Sequence, residues 1–228
     1  MAGFIMKIQK WVSDERFNRY LQRCGGDESL AKAYYESNVA ISQACYIILE
    51  ALEITLRNKV HHKLSQEYNN EQWYDIWLGM ANLSGFHSNI EKAKDMIDQR
   101  GKVITPGKVV AEFTLGFWIQ MFNASNEKTL WKPLRSIFSN LPKKQRQRYI
   151  VSRQLNKVRK FRNRIFHYES IAWNFKAVND NYKIIREVLH WLEKDAATWA
   201  DGRCSFEQTL QDEADKLTNL GITNIQIK

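Results

Sequence analysis

Three prolines (Pro106, Pro133 and Pro142) and ten glycines leave this 228-residue chain few places where a regular element must stop. Proline has no backbone N–H to donate, and both residue types punctuate helices and strands. Their scarcity excludes a loop-rich or many-turned fold. The every-second-residue alternation of half-buried strands is also scarce: apolar residues recur at three and four, the helical spacing. An all-α fold follows. Cys24, Cys45 and Cys204 are odd in number and far apart, without metal-ligand or redox spacing. They exclude a disulfide framework and are expected to be reduced and buried. No apolar run approaches the roughly 20 residues that span a bilayer, and the opening MAGFIMKIQKWVSDE becomes charged too soon for a signal peptide. The expectation is a cytoplasmic protein without membrane association.

Acidic residues are missing from one segment. Between 143 and 164 there is no Asp or Glu, against Lys143, Lys144, Arg146, Arg148, Arg153, Lys157, Arg159, Lys160, Arg162 and Arg164. These ten cations account for the whole formal excess of +9. A positive field so concentrated attracts polyanions; the plainer alternative is a solvated helix face. With 44% hydrophobic and 26% charged residues the chain has the composition of a folded protein, not a disordered one.

Along the chain, Ser13-Asp14-Glu15 begins a helix that Gly25-Gly26 ends, and Asp27-Glu28-Ser29 opens a long one reaching about Tyr68. A connector rich in aromatics (Trp73, Tyr74, Trp77) precedes a helix over 87–99. Thr105-Pro106 suits a helix start, and that helix, carrying Val109, Phe113, Phe117, Trp118 and Met121, reads as strongly buried. After a loop at 123–127, a short helix around Trp131 to Phe138 stops before Pro142. From Lys143 a basic helix is expected with Tyr149, Ile150, Leu155, Val158, Phe161 and Ile165 facing inward. Helices over about 173–200 and 205–220 follow, and 222–228 alternates like a short strand or a tail. With no internal repeat or linker, the division is one helical domain over 1–203 with a C-terminal extension over 204–228.

The chemistry concentrates in KVRKFRNRIFHYES, residues 157–170. Arg162 offers a planar fork of donors to phosphate, and His167 can take and give a proton near neutral pH. Cleaving RNA without a metal or other cofactor needs a base for the 2′-hydroxyl proton, an acid for the leaving oxygen and positive charge on the phosphate. His167 can serve as acid or base, and Arg162 as the phosphate ligand. Asn163 precedes His167 by four residues, about 40° around a helix, so it can orient the imidazole. Arg162 and His167 are about 140° apart on an ideal helix, which points to a site at a helix end. One imidazole does not easily supply acid and base together; a homodimer that pairs two motifs would.

The spacing Arg-x4-His is weak on its own. Arg57-Asn58 with His61-His62 repeats it, either as a second site or as support for the later one, and Glu53 to Arg57 is also an ordinary helical ion-pair spacing. The tryptophans read as core, and His87 and His190 as structural.

Four stretches together resemble the Abi-like family of bacterial abortive-infection proteins, within the HEPN superfamily: YYESN at 34–38, LEALEITLRN at 49–58, TPGKVVAEFTLGFWIQMF at 105–122 and VRKFRNRIFHYESI at 158–171. They lie in order between about residues 13 and 200, and the last is the most specific. The chain departs from the family pattern at Ser170, where proline is expected. The resemblance implies a HEPN-like helical bundle with additional helices and a homodimer with a composite active site. It also implies metal-independent endoribonuclease activity, used in phage defence or as a toxin. By position, Arg162 and His167 would be catalytic and Asn163 would shape the site. Glu53, Arg57, Asn58, Tyr168 and Glu169 would support it, and the basic residues from Lys143 to Arg164 would hold RNA. An antitoxin or a small regulatory RNA is the further partner such a toxin implies. Two other readings stand beside this one: a module that binds RNA without cutting it, and a protein-interaction scaffold in which the Arg/His pair is a buried structural hydrogen bond.

Overall fold

The computed structural model describes residues 9–222 and 225–227. The fold is all-α: 76% of the chain is helical and no strand occurs among the described residues. In chain order the α-helices are α1 (Gln9–Val12), α2 (Asp14–Arg23), α3 (Glu28–Ala44), α4 (Tyr46–Tyr68), α5 (Trp73–Leu78), α6 (His87–Gln99) and α7 (Pro106–Glu112). They continue with α8 (Leu115–Gln120), α9 (Lys132–Leu134), α10 (Arg148–Phe166), α11 (Phe175–Leu192), α12 (Lys194–Asp201) and α13 (Phe206–Asn219). Two compact units emerge: Met1–Ile47, Asn163–Tyr182 and Cys204–Lys228 form one; Ile48–Arg162 and Lys183–Arg203 form the other.

In the first unit α2 and α13 both pack on α3. The turn between α2 and α3 follows from its glycines: Gly25 and Gly26 take φ of 62° and 89°, conformations that side chains resist. There the Gly26 N–H reaches back to the Leu21 carbonyl (2.8 Å). Asp27 then caps α3 by accepting from the Leu30 N–H (2.9 Å). The core gathers Phe17, Tyr20, Tyr34, Ile41, Val178 and Tyr182 with Phe206, Leu210, Ala214 and Leu217 of α13. Tyr182 stacks on Phe206 at 3.9 Å, and Glu213 meets the buried Ser37 hydroxyl (2.5 Å). The segment expected as an extension therefore contributes a face of this core. Cys45 is fully buried, Cys24 and Cys204 partly, and all three are free thiols.

In the second unit the connector tryptophans form the aromatic centre. Trp73 and Trp77 lie 4.6 Å apart, Trp77 and Phe86 5.0 Å, and Phe113 stacks on Phe117 at 3.9 Å beside Trp118. Trp73, Trp77 and Trp118 are fully buried, in keeping with their reading as core, whereas Trp11 and Trp199, read the same way, are exposed. His87 is structural too, its Nε2 2.7 Å from the Trp77 carbonyl.

Several helix boundaries differ from expectation, among them a break at Glu193 that divides the helix over about 173–200 into α11 and α12. The long helix over 28–68 breaks at Cys45, and the one over 105–121 is interrupted at Phe113, where Thr114 caps α8 by accepting from the Phe117 N–H (3.4 Å). The basic helix starts at Arg148, not Lys143, because Arg146 spends its guanidinium on the carbonyls of Ser139 (2.9 Å) and Leu141 (2.8 Å), fastening the turn after Pro142. Val151 joins Leu155, Val158, Phe161 and Ile165 on the buried face, and Tyr149, expected there, points to solvent. The stretch Glu28–Tyr68 has the length and hydropathy of a membrane span, but its Ile41, Ile48, Leu52 and Leu56 are fully packed inside the protein.

Candidate active site

Arg162 precedes the last turn of α10 and Asn163 opens it; His167 follows at the C-terminal boundary of the helix. The chain leaves the helix through a left-handed cap. Tyr168 has φ of 57°, the Tyr168 N–H returns to the Ile165 carbonyl (3.0 Å) and the Glu169 N–H to the Arg164 carbonyl (2.8 Å). Glycine is the usual residue there, since a Cβ in this conformation costs about 1 kcal/mol. The surroundings hold the turn in place. Arg164 donates to Glu169 (3.2 Å) and to the Ser170 carbonyl (2.8 Å), and Ser170 donates to Tyr20 (2.7 Å). Buried Asn38 accepts from the N–H groups of Ile171 (2.7 Å) and Ala172 (3.1 Å). The YYESN stretch thus positions the chain after the motif: Tyr34 also donates to the Ala172 carbonyl (3.0 Å). Burial pushes the Tyr34 hydroxyl above its ordinary pKa, which keeps it a donor. Ser170 makes its own polar bond within this network.

The result is an exposed His167 in a polar cleft of about 220 Å³ that also presents Arg16, Arg19, Glu15, Tyr168 and Glu169. Arg16 reaches the His167 carbonyl (3.5 Å), and its guanidinium lies 5.9 Å from the Tyr168 ring centre. Arg19 pairs loosely with Glu15 (3.6 Å) on the exposed side of α2. The cleft therefore holds two arginines, an imidazole and two carboxylates; Glu15 offsets Arg19 and Glu169 pairs with Arg164, so Arg16 and His167 are the groups suited to an anionic oxygen. Sequence reasoning missed Arg16 and Arg19, which lie about 150 residues from the motif.

Arg162 is two-thirds buried and pairs with Glu53 of α4 at 3.7 Å. Glu53 therefore meets the residue it was expected to support, rather than its helical neighbour Arg57. The Arg57 Nε donates to Asn58 (3.4 Å). Asn58 and His62 line a separate cleft of about 410 Å³ with Lys59, Lys63 and Ser136. Of the earlier histidines, His61 is structural: its Nδ1 accepts the Trp73 indole N–H (3.0 Å), and burial lowers its pKa.

The cationic segment divides by function in the fold. Arg153, Lys157 and Lys160 are exposed at helical spacing along α10, opposite its buried face; Lys143 and Lys144 are exposed before it. Arg146 fastens a turn, as above. Arg148 binds Glu127 (2.8 Å), Arg159 donates to Asn156 (3.0 Å) and Arg164 braces the cap. Among the described residues no group of three or more His, Cys, Asp or Glu is placed to hold a metal ion. No family model, no curated protein and no solved structure matches this chain.

Proposed function

We propose that the protein is an endoribonuclease that cleaves RNA without a metal cofactor, with His167 and Arg162 as catalytic residues. The observation that carries this reading is the exposed His167, held on a strained helix cap in a cleft that also contains Arg16 and Arg19. In the reaction the ribose 2′-oxygen attacks phosphorus as its proton passes to an imidazole. The P–O5′ bond breaks with protonation of the leaving oxygen, giving a 2′,3′-cyclic phosphate and a 5′-hydroxyl. Arg16, beside His167, offsets the charge that grows on the phosphate oxygens; the role of Arg162, which pairs with Glu53, rests on the sequence resemblance alone. Since one imidazole does not both take and give a proton in the same step, a homodimer supplies the second from another copy of the motif. Asn163, exposed one turn before His167, orients the ring or the phosphate. A role in phage defence, or as a toxin restrained by an antitoxin or small RNA, rests on the sequence resemblance alone.

The test is RNA cleavage by purified protein in the presence of a chelator. Fragments ending in 2′,3′-cyclic phosphate are expected from wild type and absent with His167→Ala. A second reading, RNA binding without cleavage, is favoured by the exposed row Arg153, Lys157 and Lys160. It expects salt-sensitive binding unaffected by His167→Ala and no fragments from either protein. The scaffold reading, which needs a buried His167, is disfavoured by the exposure of that residue.

A further inference from the structure

Beside the polar cleft lies a second one of a different character. Most large aromatic side chains here are buried; of those exposed, Trp11, Tyr149 and Trp199 aside, Tyr46 is 55% exposed, Phe166 37% and Tyr168 73%. The last three line one cleft of about 300 Å³ together with Tyr35, Val39 and Ile165. The Tyr46 and Phe166 rings are 5.9 Å apart and inclined by 35°. Tyr35 is fixed from behind by Tyr20, edge to face at 5.4 Å. Arg16 and Tyr168 line both clefts, so the aromatic rings and the His167 cleft share a wall. The charged residue lining the aromatic cleft is this same Arg16, a cation. Gln43 adds an exposed amide at its edge.

Apolar rings beside a cation and an imidazole match one class of ligand better than others. An apolar peptide would cover the rings and leave Arg16 without an anion, and a bare phosphate would leave the rings in water. A nucleotide with an unpaired base satisfies both, because its π-face stacks on aromatic side chains while its phosphate meets the guanidinium. The backbone points the same way: Tyr168 occupies a left-handed position that glycine would hold with less strain, and only a side chain there contributes a ring to the wall.

We propose that the cleft of Tyr35, Tyr46, Phe166 and Tyr168 is a nucleobase subsite. It takes the unpaired base next to the phosphodiester that Arg16 and His167 hold, which makes single-stranded RNA the substrate class. This rests on the nuclease reading for the position of the phosphate, but base binding is measured without cleavage.

The experiment uses full-length protein and two probes of equal length: single-stranded oligodeoxyuridylate, which lacks the attacking 2′-hydroxyl, and an abasic deoxyribose-phosphate backbone. Tyr46→Ala is expected to weaken binding of the first by about tenfold or more and to leave the second unchanged, with the same salt slope for both proteins. Tyr46→Phe keeps wild-type affinity. Tyr46 is more than half exposed, so unaltered melting confirms that the variant is folded. Equal affinities of wild type and Tyr46→Ala for the base-bearing probe overturn the proposal. Loss of self-association in Tyr46→Ala with oligonucleotide affinity intact also overturns it, and assigns the cleft to a second copy of the chain. Base-dependent binding in a protein that leaves RNA intact keeps the subsite and removes the nuclease reading.

Discussion

His61 and His167 carry the same imidazole into opposite surroundings. His61 must stay neutral, since protonating Nδ1 removes the acceptor of the Trp73 N–H. Burial, the larger influence, lowers its pKa below the ordinary 6.5. Below that pH the unfolded chain binds more protons at this residue than the folded one, so its contribution is complete above about 6.5 and is lost as pH falls. Melting temperature is expected to drop on acidification from about pH 7.5 to about pH 5.5, and His61→Gln to flatten that drop; parallel curves for both proteins would contradict the assignment. Tyr168 makes a second prediction at this scale. With φ of 57°, Tyr168→Gly should stabilise the protein by about 0.5–1 kcal/mol in thermal or denaturant unfolding, while weakening oligonucleotide binding through the lost ring. Cys45 makes a third. It is fully buried, and burial pushes its thiol pKa well above the ordinary range; alkylation of native protein should spare it and label Cys24 and Cys204.

At the scale of elements, the boundaries that local chemistry dictates were readable. Gly25-Gly26, Asp27 and Pro106 stop or start helices because each has a conformational or hydrogen-bonding reason to do so. The break at Phe113 does carry one, the Thr114 cap of α8, but apolar spacing runs on across it. The break at Cys45 carries no such residue, and the late start of α10 depends on the Arg146 side chain folding back to Ser139 and Leu141, which a periodicity argument does not contain. The same contrast separates two groups of cations. Replacing exposed Arg153, Lys157 and Lys160 together by Gln should leave the melting temperature unchanged and lower the slope of log K against log salt for single-stranded RNA by about 2, at about 0.7 per contact. Arg146→Ala should instead lower the melting temperature, because two backbone carbonyls lose their donor. Equal effects of the two changes on stability would contradict the division.

For the whole molecule, helical class and most of the core were legible because apolar spacing of three and four recurs through the chain. The motif itself was legible from residue types. Its neighbours were not: Arg16 and Asn38 reach the segment after α10, and Tyr46 the last residue of α10, from more than 100 residues away, and no local pattern announces that. The role of 204–228 was hidden for the same reason, since the stripe Phe206, Leu210, Ala214 and Leu217 is weak until α3 is known to receive it. Truncation after residue 203 should therefore cost cooperative folding, measured by the sharpness of thermal unfolding, rather than trim an appendage. A composite dimer makes its own prediction: excess His167→Ala protein mixed with wild type should depress activity below simple dilution, because mixed pairs lack one imidazole.

The most direct test of the central claim is the fate of one RNA exposed to wild type and to His167→Ala under identical conditions, with the new ends identified chemically. Wild type is expected to leave 2′,3′-cyclic phosphate and 5′-hydroxyl ends, and the variant to leave the RNA intact. Intact RNA with both proteins, or the same fragments from both, would contradict that claim.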